Sequence, residues 1–378
     1  MNLRLSAAML LVLAIPGIVL APKTASAQNP SNAPVRVVIV GLEHGHAGGL
    51  LSSIPDQKNV ELVGISEANT ALAERYARQF HLDKKIFFTD TDQMLTQLHP
   101  DAVLVYTAIS DHRKVIEIAA RHGIMSMVEK PLATTMADAI AIRRVSEQHH
   151  VPVLVNYETT WYPSNTEAYR QVEAGKLGAI RRVVVHDGHE GPKEIHVGPE
   201  FLKWLTDPAK NGAGAMFDFG CYGADLMTWM MHGETPISVT AVALTDKPDI
   251  YPKVDDDATI IVRYPKAQLV LQPSWNWPFA RKDMEVYGAT GYAITVAADD
   301  LRVRYAGEKA ESSIKAPPLT ENEQSSLDYL VAVFRGQIHP QGDLNSLDTN
   351  MVVMQILTAA RESVKSGRTI ELKPLPKQ

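Results

Sequence analysis

The turn at residues 41–49 carries groups that could hold a nucleotide. It follows a run of β-branched residues and contains four glycines and two histidines. A turn between a strand and a helix can bring backbone N–H groups close to a phosphate, and the usual spacing for a dinucleotide is G-x-G-x-x-G. Only Gly41 is in register with that spacing. Glu43 and His46 occupy the other two glycine positions, and Gly45 lies between them. The turn alone is therefore as consistent with an empty glycine-rich turn as with a nucleotide site.

Glu67 favours the nucleotide interpretation. It follows a second β-branched run and lies about 26 residues after Gly41. In dinucleotide-binding folds an acid at this point accepts hydrogen bonds from the adenosine ribose, and its charge repels the 2′-phosphate of NADP. The sequence therefore predicts NAD as the cofactor, with NADP disfavoured, and we expect His44 and His46 to line the same cleft. The alternative is that Glu67 is only a solvated acid in a turn.

The elements that would position these residues alternate between strand and helix. This alternation predicts an α/β Rossmann domain over residues 35–156, with a parallel sheet and right-handed crossovers. The predicted strands are 36–40, 60–66, 101–106, 125–128 and 151–156, and the helices between them include 70–80 and 112–122.

The pattern changes after about residue 175, where short alternating runs are separated by Gly, Pro or Asp. It predicts an α+β C-terminal domain over residues 157–370 with a large, mostly antiparallel open sheet. One exposed face of such a sheet would suit a homo-oligomer. The predicted strands are 179–187, 236–245, 257–264, 267–273, 283–287, 292–297 and 301–305, and two helices are predicted at 322–335 and 346–365.

Composition narrows the class of protein. The chain has 378 residues, 45% of them hydrophobic and 21% charged, which is typical of a globular protein with two domains. Its formal net charge of −6 argues against nucleic-acid binding. Cys221 is the single cysteine, so the chain forms no intramolecular disulfide.

Residues 1–27 have the pattern of a secretory signal peptide. Arg4 precedes an apolar run at 7–20, and the small residues 25–27 form a cleavage site. A transmembrane anchor is the alternative, but the run is short and contains Pro16. We therefore expect a periplasmic or secreted protein with no membrane association after cleavage.

Four segments resemble the Gfo/Idh/MocA family of sugar-active dehydrogenases, and the likeness covers most of residues 35–370. The resemblance implies a Rossmann domain that binds a nicotinamide cofactor and a second domain that binds a carbohydrate. The segments are DAVLVYTAISDH at 101–112, GIMSMVEKP at 123–131, NGAGAMFDFGCYGADL at 211–226 and SLDTNMVVMQILTAARESVKSG at 346–367.

The Glu-Lys-Pro tripeptide at 129–131 is the most specific of these motifs. In the family its lysine contacts both the nicotinamide side and the substrate hydroxyl, so the resemblance implies that Lys130 is catalytic. A cation at that point stabilises the alkoxide that develops during hydride transfer. The alternative is a lysine on a surface loop. The resemblance also implies that Glu129, Thr107 and His112 belong to the cofactor site.

The family motif D-x-G-x-H-x-x-D corresponds here to Asp218 through Asp225, with Tyr222 in place of the histidine. A tyrosine also occurs there in the glucose-fructose oxidoreductase branch, which includes an exported sugar enzyme. The resemblance implies that Tyr222 exchanges a proton with the substrate if Lys130 lowers the pKa of its phenol. Otherwise Tyr222 only packs against the sugar and donates a hydrogen bond. Asp218 would orient the sugar or Lys130, and Asp225 would cap a helix or bind substrate.

Further aromatic and histidine residues are candidates for the substrate pocket. Tyr157 and Trp161 follow the last Rossmann strand and could stack on a sugar, although a core role is equally open. The family reaction needs no metal, so we expect no metal site and interpret the following cluster, His189 above all, as substrate contacts or plain loop. The cluster comprises His186, His189, Glu190 and His196.

The leading functional hypothesis is an exported nicotinamide-dependent oxidoreductase that acts on a secondary hydroxyl of a sugar, polyol or glycoside by hydride transfer. Free nicotinamide cofactor is scarce outside the cytoplasm, so such an enzyme would need to hold NAD tightly. One alternative is NAD-dependent, redox-neutral glycoside cleavage on the same scaffold. Another is a non-catalytic secreted sugar-binding protein, which the irregular glycine turn and Tyr222 favour and which Lys130, Asp218 and Glu67 oppose.

Overall fold

The computed structural model describes residues 33–375, so the predicted signal peptide at 1–27 lies outside the described residues. Within that described range, no helix is both long enough and apolar enough to cross a bilayer.

The first sheet confirms the predicted Rossmann domain. All its neighbouring strands are parallel, and their order is β3-β2-β1-β4-β5-β6, which is the order of a doubly wound dinucleotide-binding sheet. The central strand is almost entirely buried, which explains its continuous run of valine and isoleucine. The strands are β1 (Val35–Val40), β2 (Val60–Ser66), β3 (Phe87–Phe88), β4 (Ala102–Val105), β5 (Met125–Glu129) and β6 (Val153–Asn156).

Three helices of this half begin at polar residues that cap their N-termini. The side chains of Asn69, Asp90 and Thr135 each accept a hydrogen bond from a backbone N–H in the first turn of the following helix. The helices are α1 (Ala47–Ser53), α2 (Thr70–Gln79), α3 (Thr91–Leu98), α4 (His112–Arg121), α5 (Met136–His149) and α6 (Pro163–Glu173).

The second sheet confirms the predicted open sheet. Its order is β14-β13-β12-β11-β7-β10-β9-β8-β15, and only β7 and β10 pair in parallel. The short edge strands β14 and β15 were not predicted, because their exposed residues lack an alternating apolar pattern. The strands are β7 (Ile180–Gly188), β8 (Ser238–Leu244), β9 (Asp257–Arg263), β10 (Gln268–Ser274), β11 (Arg281–Gly288), β12 (Gly291–Thr295), β13 (Asp300–Tyr305), β14 (Ser312–Lys315) and β15 (Ile370–Glu371).

The remaining helices cover both sheets. In the second half, α10 and α12 pack together, and α12 lies against β8. By contrast, α11 packs into the core of the first sheet, where Leu327 and Leu330 join Val37 and Ile39. The boundary at residue 156 therefore separates the two sheets but not their cores. These helices are α7 (Pro199–Leu205), α8 (Pro208–Asn211), α9 (Ala215–Asp218), α10 (Gly220–Met230), α11 (Ser326–Phe334) and α12 (Leu347–Ser366).

Alternation along β7 and β11 decides which side chains reach the interior. Val183, Val185 and Asp187 are buried on β7, whereas His186 between them is only partly buried and points to the other face. Lys282 on β11 is paired with Asp187 in the register of the two strands and so shares its face. This face meets the ends of β5 and β6, where the candidate site lies.

Candidate active site

The turn after β1 approaches the turn after β4 so closely that only glycine fits. Gly41 has a φ of +83°, and a Cβ at this position would lie 2.6 Å from Thr107 Cγ2 and 2.8 Å from its backbone nitrogen. The Gly41 N–H donates to the Ser66 carbonyl at 2.8 Å. Gly41 thus draws β1, β2 and β4 together, and Thr107 lies directly against it.

The first turn of α1 offers free backbone donors. Neither Gly48 nor Gly49 donates a hydrogen bond to any residue in the range 33–375. A Cβ on Gly49 would meet nothing within 4 Å. Unpaired N–H groups at a helix start attract phosphate, and the absence of side chains leaves room for it. The turn therefore fits a dinucleotide although its glycines are displaced from the usual spacing.

Glu67 holds the cofactor turn in shape. Its two carboxylate oxygens accept hydrogen bonds from the backbone N–H groups of Leu42 and Asn69, each at 2.8 Å. Burial raises the pKa of Glu67, while these two hydrogen bonds oppose that effect. Each oxygen keeps a second lone pair that could accept a ribose hydroxyl. A groove of about 230 Å³ opens beside this carboxylate between α2 and β3.

Glu43, which replaces the second glycine of the usual motif, links the cofactor turn to its surroundings. Its carboxylate accepts the Ala108 N–H at 2.9 Å, and its carbonyl accepts the Trp204 indole N–H at 3.2 Å. Trp204 belongs to α7 of the second half, so a side chain from that half fixes the turn. Sequence reasoning had no signal for this contact, because 161 residues separate the partners.

His44 is enclosed rather than exposed in the cleft. It is 1% exposed and packs against the rings of Phe201, Trp204 and Tyr106. Burial holds the pKa of His44 well below its ordinary value, and the neighbouring His46 adds to this shift. The expectation that His44 lines the cofactor cleft is therefore wrong. Its neutral ring instead packs against the turn from the protein interior. Gly45 lies against Phe201, because its Cβ would be 2.9 Å from that ring.

His46 reaches the Glu-Lys-Pro motif. Its Nδ1 lies 3.0 Å from Glu129 Oε2, while the Asn156 amide donates to Glu129 Oε1 at 2.9 Å. Burial would raise the pKa of Glu129, but His46 and the hydrogen bonds hold it at about 2. Trp161 in turn donates its indole N–H to Asn156 at 3.1 Å. Trp161 thus has its polar atom committed to this network, and Glu129 is a fixed anion at the end of β5.

Lys130 and Asp218 form a buried ion pair at the centre of the site. Lys130 Nζ donates to Asp218 Oδ1 at 2.5 Å and to the Asp218 carbonyl at 2.8 Å, and the Trp275 indole donates to Asp218 Oδ2 at 3.0 Å. Burial would lower the pKa of Lys130, but Asp218 outweighs it and raises that pKa. Burial would raise the pKa of Asp218, but Lys130 lowers it. Both groups are therefore charged, and the hydrogen bonds to Asp218 fix the position of the Lys130 ammonium.

Tyr222 lies beside this pair, but the expected effect on its pKa is wrong. Lys130 Nζ is 5.1 Å from the centroid of the Tyr222 ring, and so faces the ring. Burial raises the pKa of Tyr222 well above its ordinary value, and Glu158 adds to the rise. The phenol therefore stays protonated near neutral pH. Its hydroxyl makes no hydrogen bond to the described residues, so it is free to donate one to a ligand.

Lys282 and Glu158 also lie beside Tyr222, and sequence reasoning missed both. They form an ion pair, with Lys282 Nζ 5.2 Å from the ring centroid of Tyr222. Tyr162 donates its hydroxyl to Glu158 at 2.5 Å. Lys282 is one of several charged residues in an alternating strand, and Glu158 lies in a polar turn. No motif marks either residue, so only the tertiary structure reveals their proximity.

Three predicted site residues expose no polar side-chain atom in this structure. His112 and Asp225 are each 0% exposed, as is Tyr157. His112 has Nδ1 3.2 Å from the Leu132 carbonyl, and Tyr157 donates to Asn350 at 2.8 Å. These corrections have one cause: the sequence shows which residues adjoin a motif but not which side of their helix or strand faces the core.

His189 is better placed for substrate. The Gly191 N–H donates to its Nδ1 at 2.9 Å, and its ring packs against Phe219 with centroids 5.0 Å apart. Burial lowers the pKa of His189. A neutral imidazole whose Nδ1 accepts a hydrogen bond carries its proton on Nε2. His189 therefore offers a hydrogen-bond donor and not a base.

Two groups of side chains in the described range could hold a metal ion by geometry. The first consists of His44, His46 and Glu129, which already form the cofactor-turn network. The second brings His186 together with two acids of β11 on the outer face of the sheet, Asp283 and Glu285. Arg281 pairs with Asp283 at 2.8 Å and supplies the positive charge that an ion would otherwise bring. Neither group includes Glu190 or His196.

Comparisons with known proteins agree with this architecture. Residues 35–157 match the family described as "Oxidoreductase family, NAD-binding Rossmann fold", and residues 166–294 match "GFO/IDH/MocA C-terminal domain". The chain is 24% identical over 338 residues to a D-apiose dehydrogenase of Paraburkholderia graminis, which covers 85% of each chain.

Solved structures share the fold. An aldose-aldose oxidoreductase from Caulobacter crescentus, crystallised with glycerol, has a TM-score of 0.77 at 23% identity over 90% of this chain and 100% of that one. An inositol dehydrogenase homologue from Azotobacter vinelandii, complexed with NAD+, has a TM-score of 0.78 at 17% identity over 91% and 100% of the two chains. The matched families, the two sheets and the buried Lys130–Asp218 pair lead to one conclusion: this chain belongs to the GFO/IDH/MocA family of NAD-dependent oxidoreductases.

Proposed function

We propose that the protein oxidises a secondary hydroxyl of a sugar, polyol or glycoside reversibly, with NAD as the hydride carrier. The observation that carries this proposal is the buried pair of Lys130 and Asp218 beside the unpartnered Tyr222 hydroxyl. A fixed cation and a neutral phenol are suited to hold one hydroxyl oxygen between them. The similarity to a D-apiose dehydrogenase and to an inositol dehydrogenase homologue supports a substrate with several hydroxyls.

The hydroxyl proton and the hydride pass from the substrate to different acceptors. Bound NAD would take the hydride from the carbon that bears the hydroxyl. Lys130 Nζ first passes one of its protons to Asp218 Oδ1 across the 2.5 Å contact, and the neutral amine that results takes the hydroxyl proton. In the reverse reaction, Lys130 returns a proton to the carbonyl oxygen. Tyr222 donates a hydrogen bond to the same oxygen and stabilises the developing alkoxide.

The positions of Gly48, Gly49 and Glu67 support a bound dinucleotide, with the phosphates at the start of α1 and the ribose at the end of β2. We infer that NAD is preferred over NADP, because the Glu67 carboxylate lies where a 2′-phosphate would add a second negative charge. We also infer export, from the signal-like pattern of residues 1–27. An exported enzyme would then keep one NAD bound through many catalytic cycles. The NADH formed by oxidation of the substrate would be reoxidised either by a second sugar or by the final step of a redox-neutral glycoside cleavage.

The test is to express the full chain, isolate the mature protein from the periplasm, and measure its mass and the nucleotide released on denaturation. We expect cleavage after residue 27 and about one NAD per chain. Lys130→Met should keep the NAD but lose activity by about 10²- to 10⁴-fold, as expected for loss of a proton-transfer group.

Lys315→Met is the matched control, because Lys315 is an exposed, ion-paired lysine on β14. It should match the wild-type protein in both measurements. Protein that carries no NAD and rejects added NAD would refute the proposal and favour a secreted sugar-binding protein. Protein retained uncleaved in the cytoplasm would refute only the export.

We further propose that the outer face of the second sheet pairs with a second copy of the chain. Val242 and Leu244 on β8 are 61% and 52% exposed, and Ile261 on β9 is 39% exposed. These side chains point away from the helices that cover the inner face. A sheet with one apolar face uncovered gains stability when that face is buried.

A further inference from the structure

Lys282 and Glu158 give the site a second ion pair that the proton transfer does not use. Lys282 extends from β11, and Glu158 follows β6, so the pair joins the two halves of the molecule. We propose that this pair selects an uncharged sugar or polyol over its carboxylate counterpart, because Glu158 neutralises the cation that a substrate carboxylate would bind. The inference rests on the proposed function, whose substrate class it narrows.

The geometry places this ion pair against Tyr222 and not at a remote surface. The two lysines, Lys130 and Lys282, have their Nζ atoms 5.1 and 5.2 Å from the same Tyr222 ring centroid. Both cations therefore lie against the residue whose hydroxyl we propose to bind the substrate. The Glu158 side chain is 45% exposed, so it is accessible to a ligand.

Each of these cations already has a carboxylate partner. Asp218 pairs with Lys130, and Glu158 pairs with Lys282. Two further groups add no fixed charge. Burial raises the pKa of Asp187 well above its ordinary value, despite the opposing effect of Lys282, and burial lowers the pKa of His189. Apart from Glu129, whose carboxylate contacts His46, the fixed charges around Tyr222 are therefore paired.

A substrate that carries a carboxylate should bind this site more weakly than an uncharged one. It could reach Lys282 only by displacing Glu158, which is held near Lys282 by the fold and by the Tyr162 hydroxyl. If it did not displace Glu158, it would lie beside that anion, and like charges in a partly desolvated site repel strongly. A hydroxyl on a neutral sugar can accept from Lys282 and donate to Glu158 without breaking the pair.

The experiment compares D-glucose with D-glucuronate and D-galactose with D-galacturonate on the mature full chain with NAD supplied. Dissociation constants come from tryptophan fluorescence, and turnover comes from the formation of enzyme-bound NADH and of altered sugar products. We expect the wild-type protein to prefer the neutral sugar of each pair by about tenfold or more. Glu158→Gln keeps an acceptor for Tyr162 but removes the charge, and should shift the ratio towards the uronate by about tenfold. Lys282→Met should shift it the opposite way.

Glu311→Gln is the control, because Glu311 pairs with Arg302 on an exposed part of the second sheet. It should leave the ratio unchanged. Equal binding of sugar and uronate by wild-type protein, no binding of either neutral sugar, or an unaltered ratio in Glu158→Gln would each overturn the inference. If the ratios shift as expected but neither enzyme-bound NADH nor a redox-neutral product forms, the inference stands and the proposed oxidation fails. If either forms and the ratios do not shift, the proposed oxidation stands and the inference fails.

Discussion

Buried ionisable side chains define what the site can do, and their partners decide their charges. Lys130 and Asp218 stay charged because each neutralises the other at 2.5 Å. Asp225 has no hydrogen-bond partner within residues 33–375, and burial raises its pKa well above its ordinary value. It is therefore a neutral acid in the core, although it lies in the same motif as Asp218. Burial and pairing thus separate two aspartates that the motif presents as equivalent.

The buried residue His112 allows a test of how burial determines the charge of a side chain. Burial lowers its pKa to about 4. Above pH 6.5 the histidine is neutral in both the folded and the unfolded chain. As the pH falls from 6.5 towards 4, only the unfolded chain takes up the proton, so the folded state loses up to roughly 3 kcal/mol. His112→Gln removes this contribution, and the stability advantage of the wild-type protein over it should shrink across that range.

Urea unfolding at several pH values between 4.5 and 7.5 measures the difference, and these values bracket most of the titration from about pH 6.5 to 4. His149→Gln, at the exposed end of α5, should track the wild-type protein at every pH. A difference between the wild-type protein and His112→Gln that does not change with pH would contradict the assignment.

At the scale of elements, the cofactor cleft depends on how closely the turn after β1 approaches the turn after β4. Gly41→Ala should disrupt this close approach for two reasons. Alanine disfavours the positive φ of residue 41, and its Cβ would lie 2.6 Å from Thr107 Cγ2. Gly123→Ala is the matched control, because Gly123 also has a positive φ, of +71°, but has open space around it. We expect about 1 kcal/mol of destabilisation for Gly123→Ala, and for Gly41→Ala a clearly larger loss together with weaker NAD binding.

Chemical denaturation and NAD titration of both variants provide the measurement. Equal destabilisation by the two substitutions would mean that Thr107 moves aside at little cost. Intact NAD binding in Gly41→Ala would show that the cleft does not need this close approach.

Most elements could be predicted because their patterns are local. The five long strands of the first sheet and the long helix α12 follow from β-branched runs and helical spacing. The site was only partly predictable. Lys130 and Asp218 belong to motifs, whereas Lys282 reaches the site only because β11 pairs with β7, across about a hundred residues of chain. Pairing at such separations leaves no local pattern in a single sequence.

At the scale of the whole molecule, contacts across the cleft fix the two halves. Arg75 on α2 forms a bidentate pair with Glu200 on α7, at 2.8 and 2.9 Å. Arg361 on α12 donates to the carbonyls of Thr134 and Gly212, at 3.0 and 2.9 Å. Together with the Lys282–Glu158 pair, these contacts join the Rossmann half to the second half on several sides. The cleft is therefore held in one geometry without help from a second subunit.

The proposed dimer makes a separate prediction at this scale. Val242→Glu places a charge in the apolar outer face of the sheet and should convert a dimer into a monomer, because a buried unpaired charge is costly. Light scattering after size exclusion, at micromolar concentration, measures the mass. Val364→Glu, at a 36% exposed position on α12, should stay dimeric. A wild-type protein that is monomeric at all concentrations would contradict the proposed interface.

The packing of α11 has a consequence for the order in which the protein can mature. The sheet that begins at residue 35 is covered on one face by residues 326–334, near the other end of the chain. A ribosome or a translocation channel releases the strands of this sheet long before their cover emerges. Until then, Ile39 and its neighbours lack this cover. We therefore expect the nucleotide site to form only after nearly the whole polypeptide has been delivered.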